Sequence, residues 1–149
     1  MLSVVVAVVV LGGVAALVAR RLAGRAADAP DKGAAWEVPV AVDRADFVRP
    51  EVPWLVVAFT SETCLACSGT WSKTELLESD QVAVQRVDAV ADKALHDRYR
   101  IDAVPTLVIV DAAGDTVRSF VGEPTATDLW AAVAEARDPG SVPASCTHD

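Results

Sequence analysis

The sequence predicts an α/β domain with a mixed central β-sheet flanked by helices, carried behind an N-terminal transmembrane helix. Three observations predict it. Leu2 to Ala19 runs eighteen residues without a charge. From residue 38 to residue 137, strand-like and helix-like apolar patterns alternate. Two cysteines, Cys64 and Cys67, follow the most continuous apolar run of that stretch and open a helical pattern.

The N-terminal run comes first. Eighteen helical residues reach about 27 Å, enough to cross a hydrocarbon core of about 30 Å. Only Ser3 carries a polar side chain within it. A cleavable signal peptide fits the flanks less well, because no Lys or Arg precedes the apolar stretch. The small-x-small triplet Ala27-Asp28-Ala29 is followed by Pro30, and three arginines separate it from the apolar run. Arg20, Arg21 and Arg25 all lie on the C-terminal side, so the positive-inside bias places the globular domain in the cytoplasm. The expectation is a single-pass protein of the cell membrane: anchor 1–20, linker 21–37, globular domain 38–137 on the cytoplasmic side, and tail 138–149. "GRAADAPDKGAA" (24–35) has the Gly, Ala, Pro and charge content of a tether.

Charge narrows the partners. The chain carries a net −8, and its first 25 residues hold only the three arginines, so the domain itself is more acidic still. An acidic domain does not suggest nucleic-acid binding, and near anionic lipid it is expected to be repelled rather than adsorbed. Three cysteines are too few for a disulfide framework, and the odd count leaves one thiol over.

Within the domain, "VPVAV" (38–42) predicts a short edge strand, the one setting that tolerates Pro39. Asp43 predicts the cap of a short helix reaching Val48 before Pro50. "WLVVAFT" (54–60) is continuously apolar, as a central strand covered on both faces must be. Residues 64–79 carry leucines at helical spacing, with Gly69 and Thr70 marking a bend. "VAVQRVDA" (82–89) alternates as a strand does. "DKALHDRYRI" (92–101) is an amphipathic helix with His96 on its polar, solvated side. "TLVIVD" (106–111) and "TVRSFV" (116–121) form a hairpin about Ala113-Gly114-Asp115. A last helix covers 125–137, capped by Thr125 or Thr127. Trp54 and Trp130 are expected in the core, and Trp71 is expected to pack.

The cysteine pair admits three readings: a redox pair, half of a metal site, or two inert thiols. A metal site needs about four ligands. No second CxxC exists, and only Cys146 and His148 of the tail could complete a set, so no metal or other cofactor is expected. A helix start favours the redox reading, because the thiolate is the reactive species and a free thiol, with a pKa of about 8.5, is mostly protonated at neutral pH. Unpaired N–H groups and the helix dipole stabilise a thiolate there. Cys64 is then the attacking nucleophile and Cys67, on the same first turn, the resolving thiol.

The pair, "YRIDAVPTLVIVDAAGDTV" (99–117) and "FVGEPTATDLWAAV" (120–133) together resemble the thioredoxin superfamily over residues 38–137. The resemblance implies that Pro105 is cis and lies beside the pair. It also implies that the Val104 backbone offers hydrogen bonds to an extended substrate segment. The partners it implies are a disulfide-containing protein substrate and a thiol electron donor. Departures from the family are Thr63 in place of Trp and Leu65-Ala66 in place of Gly-Pro. Ala58 stands where a buried acid often sits, and Glu62 is nearby in sequence but expected to be exposed. The expected function is a membrane-tethered thiol-disulfide oxidoreductase that reduces protein disulfides. The alternatives are a redox-inactive binding module presenting the Pro105 groove, or, with the topology reversed, an exported protein of disulfide or cofactor maturation.

Overall fold

The computed structural model describes residues 36–142. The anchor expected over 1–20, Cys146 and His148 lie outside the described residues. Among the described residues no helix is long and apolar enough to cross a membrane.

Strand β1 (Trp54–Thr60) is the centre of a four-stranded sheet in the order β2-β1-β3-β4. Strand β2 (Val82–Asp88) pairs with it in parallel, and β3 (Thr106–Val110) pairs with it antiparallel on the other side. Strand β4 (Thr116–Val121) closes the hairpin with β3. Parallel neighbours cannot be joined by a tight turn. Helix α1 (Leu65–Thr74) makes that crossover, and α2 (Lys93–Arg98) and α3 (Ala126–Arg137) complete the set.

Period-two alternation divides the core into two layers. Leu55, Val57 and Phe59 face one way, onto Phe47 and, from α2 and the residues after it, Leu95, Tyr99 and Ile101. Val56 and Ala58 face the other way, with Trp71 of α1 and Ala132, Val133 and Ala136 of α3. Every β1 residue from Leu55 to Thr60 is buried, which is why the strand reads as an unbroken apolar run.

Several expectations are corrected. The strand expected over 38–42 reduces to one bridge, Ala41 with Asp115. Its two hydrogen bonds run from Val42 N to the Gly114 carbonyl and from Thr116 N to the Val40 carbonyl. Pro39 has no N–H with which to extend the ladder. The helix expected from Asp43 to Val48 is a single 3-10 turn, Arg44–Asp46, with the Asp43 carboxylate accepting from Ala45 N. It ends where Phe47 takes an extended backbone and sinks into the core. Arg44 is buried as well, donating through Nη1 to the Asp111 carbonyl at 2.8 Å and through Nη2 to the Val52 carbonyl at 2.7 Å.

Helix α1 continues through Gly69 to Thr74 and then tightens into a 3-10 turn, Glu75–Leu77. A Cβ at Gly69 would fall 2.2 Å from the Glu123 carboxylate, the far end of a flexible side chain that pairs with Lys73. His96 is buried, not solvated, with Nε2 3.2 Å from the Val87 carbonyl and its ring edge-on to Phe59. The helix holding it has six residues, and its inner face takes Leu95 and His96 together. Trp130 is 47 % exposed. The inward positions of α3 are Leu129, Ala132, Val133 and Ala136, spaced i, i+3, i+4, i+7, and residue 130 falls outside that stripe. Trp54 is half-buried against the α1/α3 layer, and Trp71 packs there too.

Candidate redox site

The site forms where β1 stops. Thr60 ends the strand, Ser61 to Thr63 turn the chain, and Cys64 is the N-cap of α1. The turn is held by Cys64 N donating to the Ser61 carbonyl at 3.1 Å. Cys64 has extended backbone, φ −93° and ψ 111°, while its sulfur already accepts a hydrogen bond from Cys67 N at 3.2 Å. A serine or aspartate oxygen usually fills this capping role. Here a sulfur fills it, and the Cys67 N–H that faces the sulfur is shared with the Cys64 carbonyl, also at 3.2 Å. No acidic side chain stands in the first turn of α1 to oppose a negative charge on that sulfur.

Cys64 and Cys67 are joined by a disulfide, with Cα atoms 5.3 Å apart. The two sulfurs differ in access: Cys64 is half-buried and Cys67 fully buried. A bulky external thiol or disulfide can therefore reach Cys64 alone. Between them Leu65 is 94 % exposed, an apolar side chain presented beside the bond.

The β3 end of the sheet supplies the rest. Val104 and Pro105 are joined by a cis peptide bond immediately before β3. The Val104 carbonyl lies 3.9 Å from Cys64 Sγ, although 40 residues separate the two in sequence. Pro105 is buried, and its carbonyl accepts from Gly122 N at 2.8 Å, which ties this segment to the turn after β4. Thr106 Oγ1 donates back to the Ala103 carbonyl at 2.8 Å. All four residues singled out from the sequence, Cys64, Cys67, Val104 and Pro105, are thus gathered at one end of the sheet. Among the described residues, no three His, Cys, Asp or Glu side chains converge to hold a metal ion.

Three further residues at this end, Thr60, Arg86 and Asp88, are not legible in the sequence. Ala58 is fully buried in the layer with Trp71 and Val133. Arg86 from β2 reaches across and donates through Nε to Thr60 Oγ1 at 3.0 Å. Asp88 ends β2 and accepts from Val90 N at 2.8 Å and Ala91 N at 3.1 Å. These N–H groups hold its carboxyl below the usual carboxylate range. Only the strand register, Ala58 opposite Arg86 and Thr60 opposite Asp88, brings them together.

The thioredoxin family model matches residues 43–135. No curated protein matches the sequence. Among solved structures, a single-substitution variant of the thioredoxin of Halobacterium salinarum is similar, at 24 % identity and a TM-score of 0.53. The similarity covers 72 % of this chain and 98 % of that one. The Drosophila melanogaster germline thioredoxin Deadhead is similar at 22 % identity and a TM-score of 0.51, over 58 % of this chain and 83 % of its own. At these identities the two structures speak for the fold.

Proposed function

The chain belongs to the thioredoxin family, and on that premise we propose that it is a membrane-tethered thiol-disulfide oxidoreductase that reduces protein disulfides through Cys64 and Cys67. The observation that carries the reading is the Cys64 sulfur at the start of α1, facing the Cys67 N–H, with the Cys67 sulfur buried behind it. In the reduced protein the Cys64 thiolate attacks one sulfur of a substrate disulfide. An S–S bond forms between them, and the other substrate sulfur leaves as a thiolate that takes a proton from water. Cys67, having lost its proton, then attacks Cys64 Sγ. The mixed disulfide breaks, the second substrate thiol departs, and the Cys64–Cys67 disulfide remains. Two electrons have passed to the substrate, and a thiol donor returns them by the reverse exchange.

The Val104 backbone beside Cys64 suits an extended substrate segment laid across the pair. Leu2–Ala19 and the arginines after it support a tether with the domain in the cytoplasm. A reducing compartment favours the reductase direction. The test is exchange with a disulfide-bonded protein. Cys64→Ser should abolish it, and Cys67→Ser should accumulate a mixed disulfide between Cys64 and the substrate. Turnover by Cys64→Ser at the wild-type rate would sink the reading.

A further inference from the structure

We propose that Lys73 is a positioning residue of the redox site: it ties segment 122–124 to helix α1 and so fixes the wall of the client groove that stands across Val104 from Cys64. The inference deepens the redox reading and rests on it.

Sheet order sets the geometry. Strand β3 lies between β1 and β4, so its entry at Val104 is flanked by the end of β1 on one side and the end of β4 on the other. From the β1 side comes Cys64, with Sγ 3.9 Å from the Val104 carbonyl. On the β4 side the register pairs Thr106 with Val121, and Gly122 N donates to the Pro105 carbonyl at 2.8 Å. One step further, the same register brings Glu123 level with Val104. An extended segment laid along Val104 therefore runs between the redox pair and residues 122–124. Gly122 leaves room there, since a Cβ built on it meets no atom within 4 Å.

Strand β4 is an edge strand, and no further strand braces the segment that leaves it. The brace comes from α1. Lys73 Nζ pairs with the Glu123 carboxylate and donates to the Pro124 carbonyl at 3.2 Å. Among the described residues Glu123 pairs with no second cation. Its carboxylate lies over Gly69, four residues before Lys73 on the same face of α1. Pro124 is buried, and Thr125 already caps α3. One amine thus joins the short reach between β4 and α3 to the helix that carries the cysteines.

A wall fixed before the client arrives lowers the ordering cost of binding. Lys73 is nine residues past Cys64, about two and a half turns along α1, so its removal acts on client binding and leaves the sulfur chemistry alone.

The test is insulin reduction by the full chain in detergent, with dithiothreitol as donor, alongside amide exchange of the peptide covering 120–125. Lys73→Met should raise KM for insulin about fivefold, with kcat and the iodoacetamide rate of Cys64 within about twofold of wild type. Exchange at Gly122 and Glu123 should rise with it. Lys73→Arg, which keeps the cation and its donors, should restore KM. The double variant Lys73→Met/Glu123→Gln should stay high, because the tie is still missing. Its return to the wild-type KM would make the effect one of bare charge and overturn the positioning role. An unchanged KM in Lys73→Met overturns it as well. If the wild type left insulin intact, the redox reading would fail, and unchanged exchange in Lys73→Met would still sink the tie independently.

Discussion

Cys64 and Cys67 share one helical turn yet differ in access, and that difference supports the roles proposed for them. In the reduced protein, iodoacetamide should modify Cys64 at least tenfold faster than Cys67, read by mass spectrometry of the peptides, because only Cys64 meets solvent. Equal rates would contradict the assignment. Asp88 makes a second prediction at this scale. Its folded pKa is depressed by the Val90 and Ala91 N–H groups, so the stability it adds is present above the unfolded carboxylate value and is lost as pH falls through the folded one. Asp88→Asn should therefore lower the urea midpoint at neutral pH, and the gap from wild type should close progressively below about pH 4. The cysteines are legible in their spacing, and Pro105 through the resemblance to the thioredoxin superfamily. Thr60, Arg86 and Asp88 are not, since their meeting depends on which residue of β2 lies beside which residue of β1. His96 misleads for a related reason. Its helical face is polar in sequence, but the Val87 carbonyl satisfies the ring from within.

At the scale of elements, the strands that read correctly are those whose burial is uniform or cleanly alternating, such as β1 and β3. Segment 38–42 misleads because its apolar residues suggest a ladder that Pro39 cannot complete. The short helix before β1 misleads because Arg44 counts as a surface residue in sequence. In the fold its guanidinium donates to the Asp111, Val52 and Arg49 carbonyls and loses basicity mainly through burial. Arg44→Met keeps bulk but leaves the Asp111 and Val52 carbonyls without their donors, and should cost about 2–3 kcal/mol, read by urea unfolding. The cap of α3 is a gentler case. Thr125 Oγ1 accepts from Asp128 N at 3.1 Å and donates to the Asp128 carboxylate at 2.6 Å. Thr125→Ala should cost about 1 kcal/mol, whereas Thr127→Ala, inside the first turn, should cost little.

For the whole molecule, the sheet order β2-β1-β3-β4 places the C-terminal end of β1, the start of α1 and the Val104–Pro105 segment together at one pole. The redox reading stands on this convergence. The proposed tether carries a consequence of its own, since a domain held at a bilayer would meet membrane-proximal clients at raised effective concentration. The full chain should sediment with membranes and resist carbonate extraction, and replacing Val8 and Val9 by Lys should release it.

The measurement that tests the central claim most directly is a redox titration of the full chain in detergent, read by alkylation gel shift. The account predicts one two-electron transition, nearer about −270 mV than about −120 mV, that is lost in both Cys64→Ser and Cys67→Ser. A chain whose two cysteines never interconvert between dithiol and disulfide at any potential would contradict it, and would leave a thioredoxin fold that binds partners without turning them over.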